Sequence, residues 1–169
     1  MSRALLSFPN PVNEVASRWV AGGVTAIALV AIVAQQPWLC AVLAYGFLAR
    51  VAAGPTLSPL GQLATRVLAP RLARQPKLVP GPPKRFAQGI GAVLTVAASV
   101  AFFGFGLSLA TYILLGLLAV AASLESVLGL CLGCRLFSLL MRLGVIPPQI
   151  CEACGNINGA AAQALRARS

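Results

Sequence analysis

Four long apolar stretches separated by short polar turns constrain this chain more than anything else in it. They run from about Val15 to Ala34, Trp38 to Ala53, Phe86 to Phe103 and Leu107 to Leu130, close to the ~20 residues a helix needs to cross a hydrocarbon core. Charge is scarce around them: 9% of the 169 residues are charged and mean hydropathy is +0.87, whereas a soluble domain carries about 25% charged residues. A water-soluble globular fold is excluded on that ground. Disorder, which needs low hydrophobicity, and a collagen-like chain, which needs a glycine triplet period, are excluded with it. The expectation is an all-α integral membrane protein with four transmembrane helices.

The first stretch holds one charge, Arg18, beside Trp19, and is too long and too deep in the chain for a cleaved leader; Gln35, Gln36 and Pro37 follow it as a tight polar turn. Asn10 and Pro11 read as its cap and first-turn pair, and Glu14 stands four residues before Arg18. The second stretch is short, carries Arg50 near its end and is terminated by Gly54, Pro55 and Pro59. From Leu57 to Leu72, leucines alternate with Arg66 and Arg71, so this segment is expected to lie along the membrane surface. Pro76 to Arg85, rich in proline and cations, reads as a linker. The third and fourth stretches are rich in Ala and Gly, which lets helix backbones approach closely where lipid offers no hydrophobic drive. Arg135 to Leu143 reads as a second short amphipathic helix. Residues 1–158 form a single four-span domain with a cysteine segment on this reading, and residues 159–169 a flexible Ala/Arg tail.

Charge sets the expected topology. Of the 13 Lys and Arg residues, two precede the core of the first span, six lie between Arg66 and Arg85, four follow the fourth span, and one is Arg50; the Gln35 to Pro37 and Gly104 to Gly106 turns have none. With four spans all basic segments share one side, which the positive-inside rule makes cytoplasmic, with both termini there and the protein multi-pass in the plasma (inner) membrane. Three or five spans break this agreement. The net charge of +10 is then mainly a topology signal, and the Arg66 to Arg85 loop suits anionic lipid headgroups. Nucleic acid is not an expected partner, because the cations are dispersed beside apolar spans and no aromatic-interleaved patch exists.

Four of the five cysteines fall into two pairs, Cys131 with Cys134 and Cys151 with Cys154, with 16 residues between the pairs. On the cytoplasmic face permanent disulfides are disfavoured, and two chemistries stay open. Two Cys-x-x-Cys pairs at this spacing can hold zinc as a tetrathiolate, with Gly155 suiting the turn and the Gly144, Pro147, Pro148 break letting the chain fold back. Alternatively, each pair is a reactive dithiol in which one thiolate attacks and its neighbour resolves. Placed at the end of the fourth helix, Cys131 would feel the negative end of a helix dipole, which raises a thiol pKa, while Arg135 would lower it. Cys40, alone near the opposite face, reads as a packing residue.

Glu125 is the sole acid within a span, roughly 9 Å along a helix from Cys131 at 1.5 Å per residue. An unpaired acid is costly in lipid, so it is expected to pair with a base, and Arg50 is the nearest candidate. On a continuous helix Cys134 lies half a turn from Glu125, which argues against a direct couple between them. Gly129 and Gly133 match Gly-x-x-x-Gly, more often packing than function. With no histidine in the chain, haem held by His and the usual His metal sites are excluded.

The run Leu-Glu-Ser-Val-Leu-Gly-Leu-Cys-Leu-Gly-Cys-Arg-Leu-Phe-Ser-Leu-Leu-Met-Arg from Leu124 to Arg142, followed by Gly-Val-Ile-Pro and Cys-Glu-Ala-Cys-Gly-Asn-Ile, resembles the bacterial membrane family known as domain of unknown function 4395. Asn10 with Pro11, the turn of Gly54, Pro55, Ser58 and Pro59, and Arg85, Phe86 and Ala87 before a Gly-rich span are similar too. The resemblance covers about Asn10 to Asn158. Members of that family often stand beside rhodanese-like sulfurtransferases and thioredoxin-like proteins, which implies thiol or sulfur handling. It points to Cys131, Cys134, Cys151 and Cys154 as functional residues, with Glu125 a weaker candidate. The expected function is a membrane-anchored thiol or sulfur relay working with such soluble partners; the alternative is a non-enzymatic docking platform built on a structural zinc site of all four paired cysteines. Transport is a weaker class, since one polar span pair makes a thin pathway unless the chain forms a homo-oligomer.

Overall fold

A computed structural model describes residues 12–68, 71 and 78–147. In chain order the elements are β1 (Val12–Asn13), α1 (Glu14–Val33), α2 (Leu39–Ala53), a tight helical turn at Gly54–Thr56, α3 (Pro59–Leu63), a wide turn at Ala64–Leu68, β2 (Leu78–Val79), α4 (Gly81–Phe105), α5 (Ser108–Leu128) and α6 (Leu132–Arg142). Four helical segments are long and apolar enough to cross a membrane: Glu14–Val33, Leu39–Leu68, Gly81–Phe105 and Ser108–Leu128. The second of these is interrupted at Leu57 and Ser58.

Local chemistry decides where these helices start. Asn13 caps α1, its side-chain oxygen accepting from the Val15 amide at 3.0 Å, with Glu14 in the first turn where the helix dipole favours an acid. The cap is thus Asn13 rather than the expected Asn10, which lies outside the described residues with Pro11. Helix α4 starts at Gly81, with prolines in its first turn where the missing N–H costs nothing. It therefore takes in Lys84 and Arg85, which the sequence placed in a linker. Antiparallel pairing of β1 with β2, Val12 opposite Val79 and Asn13 opposite Leu78, ties the start of α1 to the start of α4.

Helix α1 packs mainly on α5, and α2 on α4, with α4 also against α5 and α6. The buried face of α1 is Ala16, Val20, Val24, Ala28 and Ala31, a helical spacing dominated by small side chains, as expected where close backbone approach replaces hydrophobic drive. Thr111 is fully buried and spans two helices, its hydroxyl 3.2 Å from the Ala98 carbonyl and 3.1 Å from that of Leu107. Large apolar side chains such as Val33, Val93, Leu109 and Val127 point outward, the arrangement a bilayer solvates.

The stretch after Leu57 is broken into short turns that pack against α1, with Ser58, Gly61 and Ala64 buried. Ser58 accepts from the Gly61 amide at 3.3 Å, and Gly23 on α1 is the small residue that leaves room for Leu60. The fourth span ends earlier than the expected Leu130. Gly129 takes the left-handed conformation (φ +68°), its amide bonding the Glu125 carbonyl at 3.0 Å while the Leu130 amide reaches the Leu124 carbonyl at 3.2 Å, a glycine closure that stops a helix. A new helix, α6, then begins at Leu132 rather than Arg135. It buries Phe137 against Phe86, with ring centroids 5.5 Å apart, and exposes Leu132, Leu136 and Leu139.

Candidate functional site

The break at Gly129 changes the electrostatics of the first cysteine pair. Cys131 is the N-cap residue of α6, in extended conformation (φ −81°, ψ 104°), and Cys134 lies in the first turn that follows. The dithiol therefore sits at the positive end of a helix, and the expected pKa-raising helix C-terminus is corrected. Both thiols are free, Cys131 buried and Cys134 half-buried. The Cys134 thiol, acting as donor toward the Cys131 sulfur, holds Cys131 below the ordinary thiol range, with the Lys84 ammonium and the Cys134 amide adding to it; burial and the Glu125 carboxylate oppose. Cys134 is pushed far up by the same hydrogen bond, then by burial and the charge of Cys131. The surroundings thus favour the thiolate at Cys131 over the thiolate at Cys134.

Glu125, near the end of α5, is paired with Lys84 at 2.6 Å rather than with the expected Arg50. Ser17 on α1 closes the cluster: its hydroxyl donates to Glu125 Oε1 at 2.6 Å and accepts from Lys84 Nζ at 2.9 Å. Three helices thus meet through one carboxylate oxygen, which suits a group whose isolation in an apolar bundle would be costly. Arg50 instead donates from Nε to Gln88 Oε1 at 2.9 Å and stacks its guanidinium over Phe47 at 4.4 Å. Arg18 caps the C-terminal end of α5, reaching the Ser126 carbonyl at 3.2 Å and that of Val127 at 2.9 Å, a cation where the helix dipole is negative.

Cys131 stands between two clefts. One, of about 310 Å³, is lined by Glu14, Lys84, Cys131, Cys134, Arg135 and Ser138 and opens onto both cysteines. The other, of about 330 Å³, runs between α4, α5 and α6 past Leu94, Leu118 and Leu136, with Glu125 and Cys131 among its walls. Because the helix breaks, the half-turn offset expected between Glu125 and the thiols no longer applies: Glu125 shares a cleft with Cys131 and acts electrostatically on both sulfurs.

Cys151 and Cys154 lie outside the described residues. Among the described residues no group of three or more His, Cys, Asp or Glu side chains is placed to hold a metal ion. Cys40 is fully buried, in keeping with a packing role. Gly129 and Gly133 do not share a helix; the first stops α5, and the second lets α6 approach α4, where a Cβ would meet Ala87 Cα at 2.6 Å. Lys84, Ser17 and Gln88 were not singled out from sequence. For Lys84 a signal existed, because prolines directly after Gly81 mark a helix start; Ser17 and Gln88 carried none.

Fold and site together define a membrane protein of four apolar helical segments with a Cys-x-x-Cys dithiol on a helix N-terminus at one end of its bundle. Residues 12–142 match the family described as Domain of unknown function (DUF4395), and the chain belongs to that family. No curated protein and no solved structure matches it.

Proposed function

We propose that this chain is a membrane-anchored thiol relay in which Cys131 attacks and Cys134 resolves. The observation that carries the reading is the placement of Cys131 at the start of α6, with Cys134 in its first turn and Lys84 lining the same cleft as both sulfurs. The Cys131 thiolate attacks one sulfur of a partner's disulfide, forming a mixed disulfide and releasing a partner thiolate. Cys134 then attacks Cys131 Sγ, its proton passing to the second partner sulfur as that leaves. The chain ends with a Cys131–Cys134 disulfide and the partner gains two electrons and one proton net, with the other thiolate taking its proton from water. Soluble thioredoxin-like or rhodanese-like proteins are the proposed partners, Cys151 and Cys154 the pair that receives or resolves downstream, and the cytoplasmic face of the plasma membrane the proposed location, on the distribution of Lys and Arg.

Trapping tests this. Cys134→Ser, incubated with an oxidised thioredoxin-like protein, should accumulate a mixed disulfide through Cys131, and Cys131→Ser should not. Stoichiometric zinc in the purified chain, lost with Cys151→Ser and accompanied by unreactive Cys131, overturns the relay in favour of a tetrathiolate zinc platform.

A further inference from the structure

A cleft of about 170 Å³ opens among α1, α2, α3 and α4. Its polar walls are Asn13, Ser17, Arg50, Thr65, Lys84 and Gln88, and among the described residues no carboxylate lines it. Arg50 is 4% exposed, and its Nη2 is buried without a hydrogen-bond partner among the described residues. A buried guanidinium nitrogen left without an acceptor is costly in a protein interior.

Gln88, Asn13 and Lys84 have donor capacity left, whereas the hydroxyls of Ser17 and Thr65 have spent theirs. Gln88 spends its oxygen on Arg50 Nε, so its amide nitrogen remains. Asn13 spends its oxygen on the Val15 amide, with the same result. Lys84 has three N–H donors, and Ser17 and Glu125 take two of them. The hydroxyls of Ser17 and Thr65 donate to Glu125 and to the Gly61 carbonyl. Charge points the same way, since Arg50 and Lys84 face this cleft while the carboxylate that Lys84 meets, Glu125, lies outside its lining. We propose that this cleft binds a small tetrahedral oxyanion between Arg50 and Lys84, with the amides of Gln88 and Asn13 completing the donor set. The size suits a single such ion, and guanidinium with ammonium is the pairing that such anions select. The ion would be either free in solution or the phosphate of a lipid headgroup. The proposal is independent of the thiol relay, because binding needs no sulfur to react.

Equilibrium binding of radiolabelled sulfate to the full-length chain tests it, first in a maltoside detergent free of phosphate. Saturable binding of one ion per chain is expected. Arg50→Gln should weaken it by about tenfold or more, the scale of one charge-assisted contact. Gln88→Glu keeps an acceptor for Arg50 Nε while putting a carboxylate in the cleft, so it should abolish sulfate binding and raise the unfolding temperature. In phospholipid nanodiscs, retained sulfate binding identifies a free ion, and loss of it identifies the headgroup phosphate. No saturable binding by the wild type in detergent, or unchanged binding by a folded Gln88→Glu, overturns the proposal.

Discussion

At the scale of single residues, the two thiols of one motif are driven apart by their surroundings. A thiolate is the reacting species, and its share falls as pH drops through the thiol pKa. Because Cys131 is held below the ordinary thiol range and Cys134 well above it, alkylation at neutral pH should modify Cys131 first, with a midpoint below that of a free cysteine. Glu125→Gln removes a charge that disfavours the thiolate, so the alkylation midpoint should move further down. Lys84→Met removes a favourable charge and should move it up, slowing alkylation at neutral pH by roughly twofold to tenfold. Peptide mapping of the alkylated chain across a pH series reads all three, and a midpoint that ignores both substitutions removes Lys84 and Glu125 from the site. This electrostatic frame was only half legible in the sequence. The Cys-x-x-Cys motif and the isolated acid stood out, but Arg50 and Lys84 both compete for that acid. The winner, 41 residues away from Glu125 in the chain, is decided by how α4 packs against α5, which no local pattern records.

Among the elements, the long apolar helices were legible because composition alone determines them, whereas their ends depend on single residues. Gly129 is a standard stop signal, and giving it full weight would have placed Cys131 at the start of a helix instead of the end. The packing of the stretch after Leu57 was hidden for a different reason: it depends on Gly23 of α1 leaving room for Leu60 across the bundle, a fact of packing. Packing of α6 on α4 rests on Gly133, where a Cβ would lie 2.6 Å from Ala87 Cα. Gly133→Ala should therefore cost about 1–3 kcal/mol, the usual penalty of overpacking, and shift the dithiol relative to Lys84. In α5, Gly116 faces open space within 4 Å, and Gly116→Ala should stabilise by about 0.5–1 kcal/mol, the helix gain of alanine over glycine. Thermal unfolding of the two variants in the same detergent gives the comparison, and equal stabilities would show that α6 does not depend on this close approach.

For the whole molecule, the contacts place Lys84, Glu125 and both sulfurs at one end of the bundle. Val12 pairs with Val79 and Lys84 with Glu125, so the start of α1, the start of α4 and the end of α5 lie together, leaving the turns at Gln36 and Gly106 at the other end. Such an arrangement requires an even number of crossings, and the proposed orientation, with the cysteine end on the side where thiols stay reduced, is open to a direct test. Single cysteines placed at Gln36, Ser108 and Ser138, all exposed positions, in a chain stripped of its own five cysteines make the test. An impermeant maleimide added to intact cells should label Gln36→Cys and Ser108→Cys at once, and Ser138→Cys after the membrane is opened. Labelling of Ser138→Cys alone from outside would keep the fold but turn the dithiol toward an oxidising solvent, so that the relay would serve partners that form disulfides. Labelling of Gln36→Cys and Ser138→Cys from the same side would contradict four crossings, and with them the meeting of Lys84, Glu125 and Cys131 on which the chemistry depends.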